Sequence, residues 1–309
     1  MTEAVPIPPT VSVVIPTIGR PVLAEVVQAV LAQGPVEVVV VADRFEAEVR
    51  RVLTRVATDP RVRIVAGAGR GSALARQTGV DAATGDVVLL LDDDVVPDAG
   101  LIAGHAARHA EAPGRVVVGF MPVDAAARAA AATATIYDND YRSEADALEA
   151  GAPVLEQLWG GNVSLRRADA ARVPQAVAAY PLDCREDHEF GLRAAAAGLV
   201  GVFDRQLAAV HFYERRADRF VALAVEQARA GRLIDTLHPD APPTTDPDAR
   251  PGGVVGLAVR SATVPGLGPV AVRIITGLVR RFGDGPASRS RVGLLVVGRA
   301  MAQADALRR

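Results

Sequence analysis

Apolar and polar positions along the first third of the chain alternate between two periods, and the spacing predicts strands and helices in turn. Val11-Ser12-Val13-Val14-Ile15 reads as a strand stopped by Pro16, and Pro21 to Gln33 as an amphipathic helix. Val36 to Ala42 repeats the strand pattern and ends in Asp43, ahead of a second, polar helix. Val62 to Val65 is a third strand, followed by a glycine-rich loop (Gly67, Gly69, Gly71) and a helix near Ser72 to Ala83. The wholly apolar run Val87-Val88-Leu89-Leu90-Leu91 then closes on Asp92-Asp93-Asp94, and a short loop through Val95-Val96-Pro97 is expected after it. Strands alternating with helices predict an α/β fold with a mostly parallel sheet covered on both faces. In such sheets ligands bind beyond the carboxyl ends of the strands. Thr17, Asp43 and Asp92 to Asp94 fall at those ends and are expected to converge.

The second half is less regular. Asp124 to Ala150 is Ala-rich and reads as mostly helical, Trp159-Gly160-Gly161-Asn162 as a turn, and Val163-Ser164-Leu165 as a short strand. Arg185-Glu186-Asp187-His188 opens a helix running to about Ala197. Two short strands, Val200 to Phe203 and Leu207 to Val210, lead to His211, and a helix from Ala217 to Leu237 closes the body. The expected division is a body over residues 1–240, with halves 10–123 and 124–240, a Pro/Asp/Thr linker over 241–251, and a tail over 252–309.

Composition sharpens the picture of the tail. From Pro251 onward there are nine Arg against Asp284 and Asp305, a balance of +7 in a chain whose total is −2, so the remainder carries −9. The longest uncharged run there, Ser261 to Val272, is shorter than the roughly 20 apolar residues that span a bilayer. A segment lying on a membrane surface, or helices docked on the body or on a second copy of the chain, are the two readings. With 309 residues, half of them apolar, the chain can bury one large core or one core and an appendage. All basic side chains are Arg, so Arg in place of Lys carries little information. Cys184 is the single cysteine, and Met1 to Thr10 lacks the pattern of a secretory signal. A cytoplasmic location, free or at the inner membrane face, is the expectation.

Candidate chemistry centres on the acidic triplet. Three carboxylates at the end of a buried strand repel one another unless a cation sits among them, so Asp92 to Asp94 ask for a divalent metal; a solvated loop is the plain alternative. Glu186-Asp187 at a helix start has a good capping explanation, as a favourable charge at the N-terminus, with a role as base the alternative. His211 is either a hydrogen-bonded core histidine or a metal ligand, and Trp159 a stacking platform or a packing residue. Asn162 also suits a turn. His105 and His109, four apart, lack the third acidic ligand that a zinc site wants. Gly67 to Gly71 has neither the Lys-Ser/Thr of a phosphate-binding Walker loop nor the spacing of a dinucleotide fingerprint. No nucleic-acid partner is expected.

Taken in order, these pieces resemble the family-two glycosyltransferases of the GT-A fold. The matching residues are Val13-Val14-Ile15-Pro16-Thr17, Asp43, Ala75-Arg76-Gln77-Thr78-Gly79, Gly85-Asp86 leading into Leu91-Asp92-Asp93-Asp94, then Gly160-Gly161-Asn162-Val163-Ser164-Leu165-Arg166-Arg167 and Glu186-Asp187. They cover about residues 10 to 215. The resemblance implies a nucleoside diphosphate sugar as donor, UDP-sugar favoured, a bound Mg2+ or Mn2+, and single displacement with inversion at the anomeric carbon. It implies that residues 10–123 hold the nucleotide and 124–240 the acceptor. Donor contacts would come from Pro16, Thr17, Asp43, Arg76, Asp92 and Asp93, with Asp94 and His211 on the metal. Asp187 would be the base that deprotonates the acceptor. Trp159, Gly160, Gly161, Asn162 and Glu186 would line the acceptor side, for an acceptor that is lipid-linked, a polysaccharide or of another kind. Two other readings stand beside it: a nucleotidyltransferase, which would want a better basic glycine-rich loop than Pro16-Thr17-Ile18-Gly19-Arg20-Pro21, and a non-catalytic sugar-nucleotide-binding scaffold.

Overall fold

The computed structural model describes residues 8–43, 47–244, 252–262, 264 and 268–308. The N-terminal residues 1–7 and most of the expected linker, 245–251, lie outside the described residues. In chain order the strands are β1 (Val11–Thr17), β2 (Glu37–Ala42), β3 (Val62–Ala66), β4 (Val87–Leu91), β5 (Val95–Pro97), β6 (Arg115–Phe120), β7 (Asn162–Arg166) and β8 (Val200–His211). The helices are α1 (Leu23–Leu31), α2 (Ala47–Val56), α3 (Ser72–Ala82), α4 (Leu101–Glu111), α5 (Ala125–Ala130), α6 (Ala132–Glu149), α7 (Arg167–Arg172), α8 (Glu186–Ala196), α9 (Ala217–Leu237), α10 (Gly253–Ala262), α11 (Gly268–Phe282) and α12 (Arg289–Arg308).

Contacts divide the chain into two compact units, one made of Met1–Pro122 with Glu144–Phe212, the other of Val123–Ser143 with Tyr213–Arg309. The first unit holds an eight-stranded sheet in the order β3-β2-β1-β4-β7-β6-β8-β5. β1 pairs in parallel with β2 and β4, β2 with β3, and β6 with β8, whereas β7 runs antiparallel to β4 and β6, and β5 to β8. The central strands are buried on both faces, from Val13 to Ile15, Val38 to Ala42 and Val87 to Leu91. That is why they read as continuous apolar runs and not as alternating ones.

Three expectations change in detail. β1 does not stop at Pro16 but runs to Thr17, still in register with Ala42. Thr17 O accepts from Asp43 N at 3.0 Å, so by alternation the nitrogen of Pro16 faces the β4 side, beyond the last β1–β4 pair, Val14 with Leu90. A missing N–H costs no ladder bond there. Val95–Pro97 is a strand, β5, paired with the end of β8, and not a loop. The two short strands expected over 200–210 are one strand of 12 residues, irregular where Gly119 pairs Asp204 and Phe120 pairs Ala208. The last two pairings depend on residues more than 80 positions apart, which local pattern does not report.

In the second unit, Ala217, Phe220 and Val221 of α9 pack with Val279 of α11, Leu295 and Ala302 of α12, and Ala132 and Ile136 of α6. Asp138, fully buried, accepts from Val123 N at 2.9 Å and pairs with Arg142 at 2.8 Å and Arg128 at 3.1 Å.

Candidate active site

Every residue singled out for chemistry belongs to the first unit. The triplet leaves β4 with three different environments. Asp93 is buried, with one oxygen accepting from Thr17 Oγ1 at 2.5 Å and the other from Arg20. Burial raises its pKa and outweighs Arg20 and Thr17. Asp94 lies 3.3 Å from Arg20 Nη1 and 3.6 Å from His211 Nε2, the second too long for a hydrogen bond but close enough to favour charge. Burial pulls its pKa up as well, yet His211 and Arg20 overcome it and leave Asp94 below its ordinary value. The backbone pins the arrangement, for Phe212 N donates to Asp94 O at 2.8 Å. Asp92 is the most open of the three and accepts from Arg76 Nη2 at 2.9 Å.

Arg76 carries the site across to α8. It rises from the buried side of α3, and its Nη1 donates to Glu186 Oε1 at 2.9 Å while Nη2 holds Asp92. Ser72 Oγ adds a 2.6 Å bond to the same Glu186 oxygen. Beside it, Asp187 accepts from Gly160 N and His188 N, both at 2.9 Å. Desolvation, helped by the neighbouring Glu186 charge and opposed by Arg76, pushes the Asp187 carboxyl up to about 7. A carboxyl poised there is suited to exchange a proton near neutrality. The turn that delivers it is strained: Arg185, the residue before α8, has φ +58° with no glycine to relieve it. Gly160 and Gly161 admit a close approach: a Cβ would stand 3.0 Å from Arg76 Cζ in the first case and 2.7 Å from Met121 Sδ in the second, so those side chains would have to shift.

On the other flank, Asp43 ends β2 with Oδ2 accepting from Gly71 N at 3.1 Å. Its buried Oδ1 meets no donor among the described residues, and neither does the buried Nε of Arg76 meet an acceptor. Orphaned buried polar atoms of this kind ask for a partner from outside the chain.

Two expected acceptor contacts are placed otherwise. Trp159 is buried and set edge-on to Phe203 at 6.0 Å, which makes it a packing residue here and no open stacking platform. Asn162 is not in the turn but opens β7, wholly buried, with Nδ2 donating to Leu207 O at 3.0 Å and Oδ1 2.9 Å from His105 Nε2. Its bonds assign a chain: His105 Nε2–H donates to Asn162, Ser164 Oγ–H to His105 Nδ1, and His109 Nε2–H to Ser164 Oγ, the last two at 2.8 Å. Desolvation drives both histidines down to about 4, so they are neutral linkers between α4 and β7.

Arg20 was not picked out from sequence as a partner of the triplet. Its signal was a basic residue three positions past Thr17. Asp183, which accepts from Ser72 N and Oγ at 2.7 Å, gave none, because the bond spans 111 positions.

Among the described residues no group of three His, Cys, Asp or Glu side chains gathers as a ready metal cage. Asp94 with His211 supplies one hard oxygen and one imidazole, and two protein ligands leave room for phosphate oxygens on Mg2+ or Mn2+. The donor set fits, and the Arg20 guanidinium beside Asp93 and Asp94 occupies the role of counter-charge. This has a measurable consequence. Arg20→Ala removes the competing cation, so the thermal shift induced by Mn2+ alone should be larger in the variant than in the parent. Equal shifts would mean that Arg20 does not compete for those carboxylates.

The family model described as glycosyl transferase family 2 matches residues 12–167. Among solved structures, mannosyltransferase PcManGT from Pyrobaculum calidifontis, in complex with GDP-Man and Mn2+, is 19% identical with a TM-score of 0.57, covering 96% of this chain and 81% of that one. TarS 1-349 of S. aureus in complex with UDP-GlcNAc is 14% identical with a TM-score of 0.51, covering 94% and 90%. GalNAc-T7 with UDP, GalNAc and Mn2+ is 15% identical with a TM-score of 0.54, covering 77% and 53%. At these identities the likeness is one of fold, the GT-A fold with additional C-terminal helices. No curated protein matches the sequence.

Proposed function

Because this chain belongs to glycosyl transferase family 2, we propose that it moves a sugar from a nucleoside diphosphate sugar to an acceptor hydroxyl, with inversion and with Mg2+ or Mn2+ assisting. The observation that carries the reading is the Arg76 bridge: one guanidinium ties Asp92, at the end of β4, to Glu186, next to the half-buried Asp187. Donor side and acceptor side are thereby held in one electrostatic unit. The solved relatives in complex with GDP-Man and with UDP-GlcNAc support a sugar nucleotide as donor, and those with Mn2+ support the metal.

In this reading Asp43 Oδ1 accepts an N–H from the base, which suits the edge of uracil, while Pro16 and Thr17 border the nucleoside through their backbone. Asp94 and His211 hold the ion. When bound, that ion supplies Lewis-acid stabilisation to the departing diphosphate. Arg76 Nε offers a donor to phosphate oxygen, and Asp92 faces the ribose and metal side. Asp93 acts from behind, positioning the Thr17 and Arg20 loop. Asp187 takes the acceptor proton as its oxygen attacks the anomeric carbon, the task a base performs in inverting chemistry. Gly160, Gly161 and Glu186 border the acceptor, whose class, lipid-linked or polysaccharide, belongs to the proposal along with a cytoplasmic location.

A calorimetric titration with UDP or GDP in the presence and absence of Mn2+ tests the donor side. Asp94→Ala should erase the Mn2+-dependent part of the binding, and proton NMR of the transferred sugar should show the opposite anomer to the donor. Retention of configuration would remove the single displacement. Pyrophosphate as product would favour the nucleotidyltransferase, and donor binding with no turnover on any acceptor would favour the scaffold.

A further inference from the structure

We propose that α11 is a membrane-docking helix that lies on anionic lipid. Along it Val270, Ile274, Leu278 and Phe282 stand four residues apart, each between 42% and 60% exposed, while Val279, next to Leu278 in sequence, is wholly buried in the unit's core. A spacing of four keeps them on one ridge of a helix about 22 Å long at ~1.5 Å per residue. Four large apolar side chains in a row are more than the scattered exposed Leu or Val of an ordinary surface. α10 shows the same habit, with Val254 and Leu257 exposed one turn apart.

Charge selects the occupant. Arg273, Arg280 and Arg281 are exposed on α11 and Arg260 on α10, and neither helix carries an acid. Arg273, Arg280 and Arg281 make no ion pair among the described residues. A basic apolar ridge without acids fits a surface of negative charge over hydrocarbon, the environment of interfacial helices. A second copy fits less well, because a two-fold contact through α11 would set the same arginines against one another. Arginines at 280 and 281 also suit the C-terminal end of a helix, but Arg273 lies mid-helix and that role leaves the apolar ridge unexplained. No helix among the described residues is long and apolar enough to cross a membrane, so the contact is parallel to the surface.

The inference stands apart from the glycosyl transfer proposed above, and failure of either leaves the other intact. Its test is flotation of the full chain with vesicles of phosphatidylcholine alone and of equal parts phosphatidylcholine and phosphatidylglycerol, with sedimentation of the lipid-free protein alongside. The chain should float with the mixed vesicles, poorly with the neutral ones, and less as salt rises. Ile274→Ser should weaken partitioning at least about tenfold, and Arg273→Gln and Arg280→Gln roughly fivefold each. Since all three positions are exposed, the variants should melt with the parent. Equal or absent binding to both vesicles overturns the proposal, as does an Ile274→Ser variant that turns a dimer into a monomer while its lipid partitioning is unchanged.

Discussion

Replacing Asp187 with Asn should lower the turnover of donor sugar by about 10²- to 10⁴-fold, the usual contribution of a general base, while leaving donor and metal binding in place. The amide keeps the shape of the side chain and cannot accept the acceptor proton. Its oxygen can still accept from one of Gly160 N and His188 N, but its NH2 only donates and gives up the other bond, a loss that does not vary with pH. The pH dependence follows from the raised pKa. In the unfolded chain Asp titrates near ~3.9, and in the fold it is pushed up to about 7. Between those values the native state binds more protons than the unfolded one, so this group makes stability fall as pH rises through the window, and the cost persists above it. The Asn variant lacks that cost. Its stability relative to the parent should therefore rise between about pH 4 and pH 8 and be level below that window. Parent turnover should rise with pH through about 7, as the base becomes free to take a proton. Thermal melts at pH 5 and pH 8, with calorimetry on UDP and Mn2+ and a turnover assay, check all three. Undiminished turnover would take Asp187 out of the mechanism, and a stability difference that grew toward acid would contradict the assigned desolvation.

The Arg76→Met variant is expected to lose about 3 to 5 kcal/mol of stability, the range for stripping one partner from a buried ion pair. Met matches the apolar stem, so the loss is electrostatic: Glu186 keeps Ser72 but Asp92 loses the cation 2.9 Å away, and Asp187 has a like charge beside it with nothing opposing. Two corollaries distinguish this account from a simple packing defect. Adding Glu186→Gln should return part of the stability, because the stranded charge goes with it. The alkaline rise of any residual turnover should move to higher pH, since Arg76 is what pulls the Asp187 pKa down. Denaturant midpoints of the single and double variants measure the first. If the double variant is no more stable than the single, Glu186 is not the group Arg76 neutralises.

Elements of both units were legible where their signals are local. The strand over Val87 to Leu91 and the helix over Ala217 to Leu237 occupy the residues expected, since an uninterrupted apolar run and a period near 3.6 each register within one short window. The carboxylates at strand ends were legible for the same reason: an α/β chain crossing a buried sheet must emerge at one edge, and polar residues there mark the exits. Local pattern left Trp159 between stacking and packing and placed Asn162 in a turn, because their partners, His105, Leu207 and Phe203, are 40 or more positions away. Polar or aromatic identity alone does not tell which way a side chain turns.

Sequence alone determined that this chain forms a layered α/β body with acids at the sheet's carboxyl edge, a glycine pair at 160–161 and an acidic helix start at 186–187. Each of those is a matter of one residue's neighbours along the chain. Tertiary structure decided how the acids divide: Asp93 turned inward to Thr17 and Arg20, Asp94 set toward His211, Asp92 joined through Arg76 to Glu186, and Asp187 partly withdrawn from water. The physical reason is that a carboxylate's state depends on burial and on charges within a few ångströms. Only folding brings residues 16 to 211 within that range.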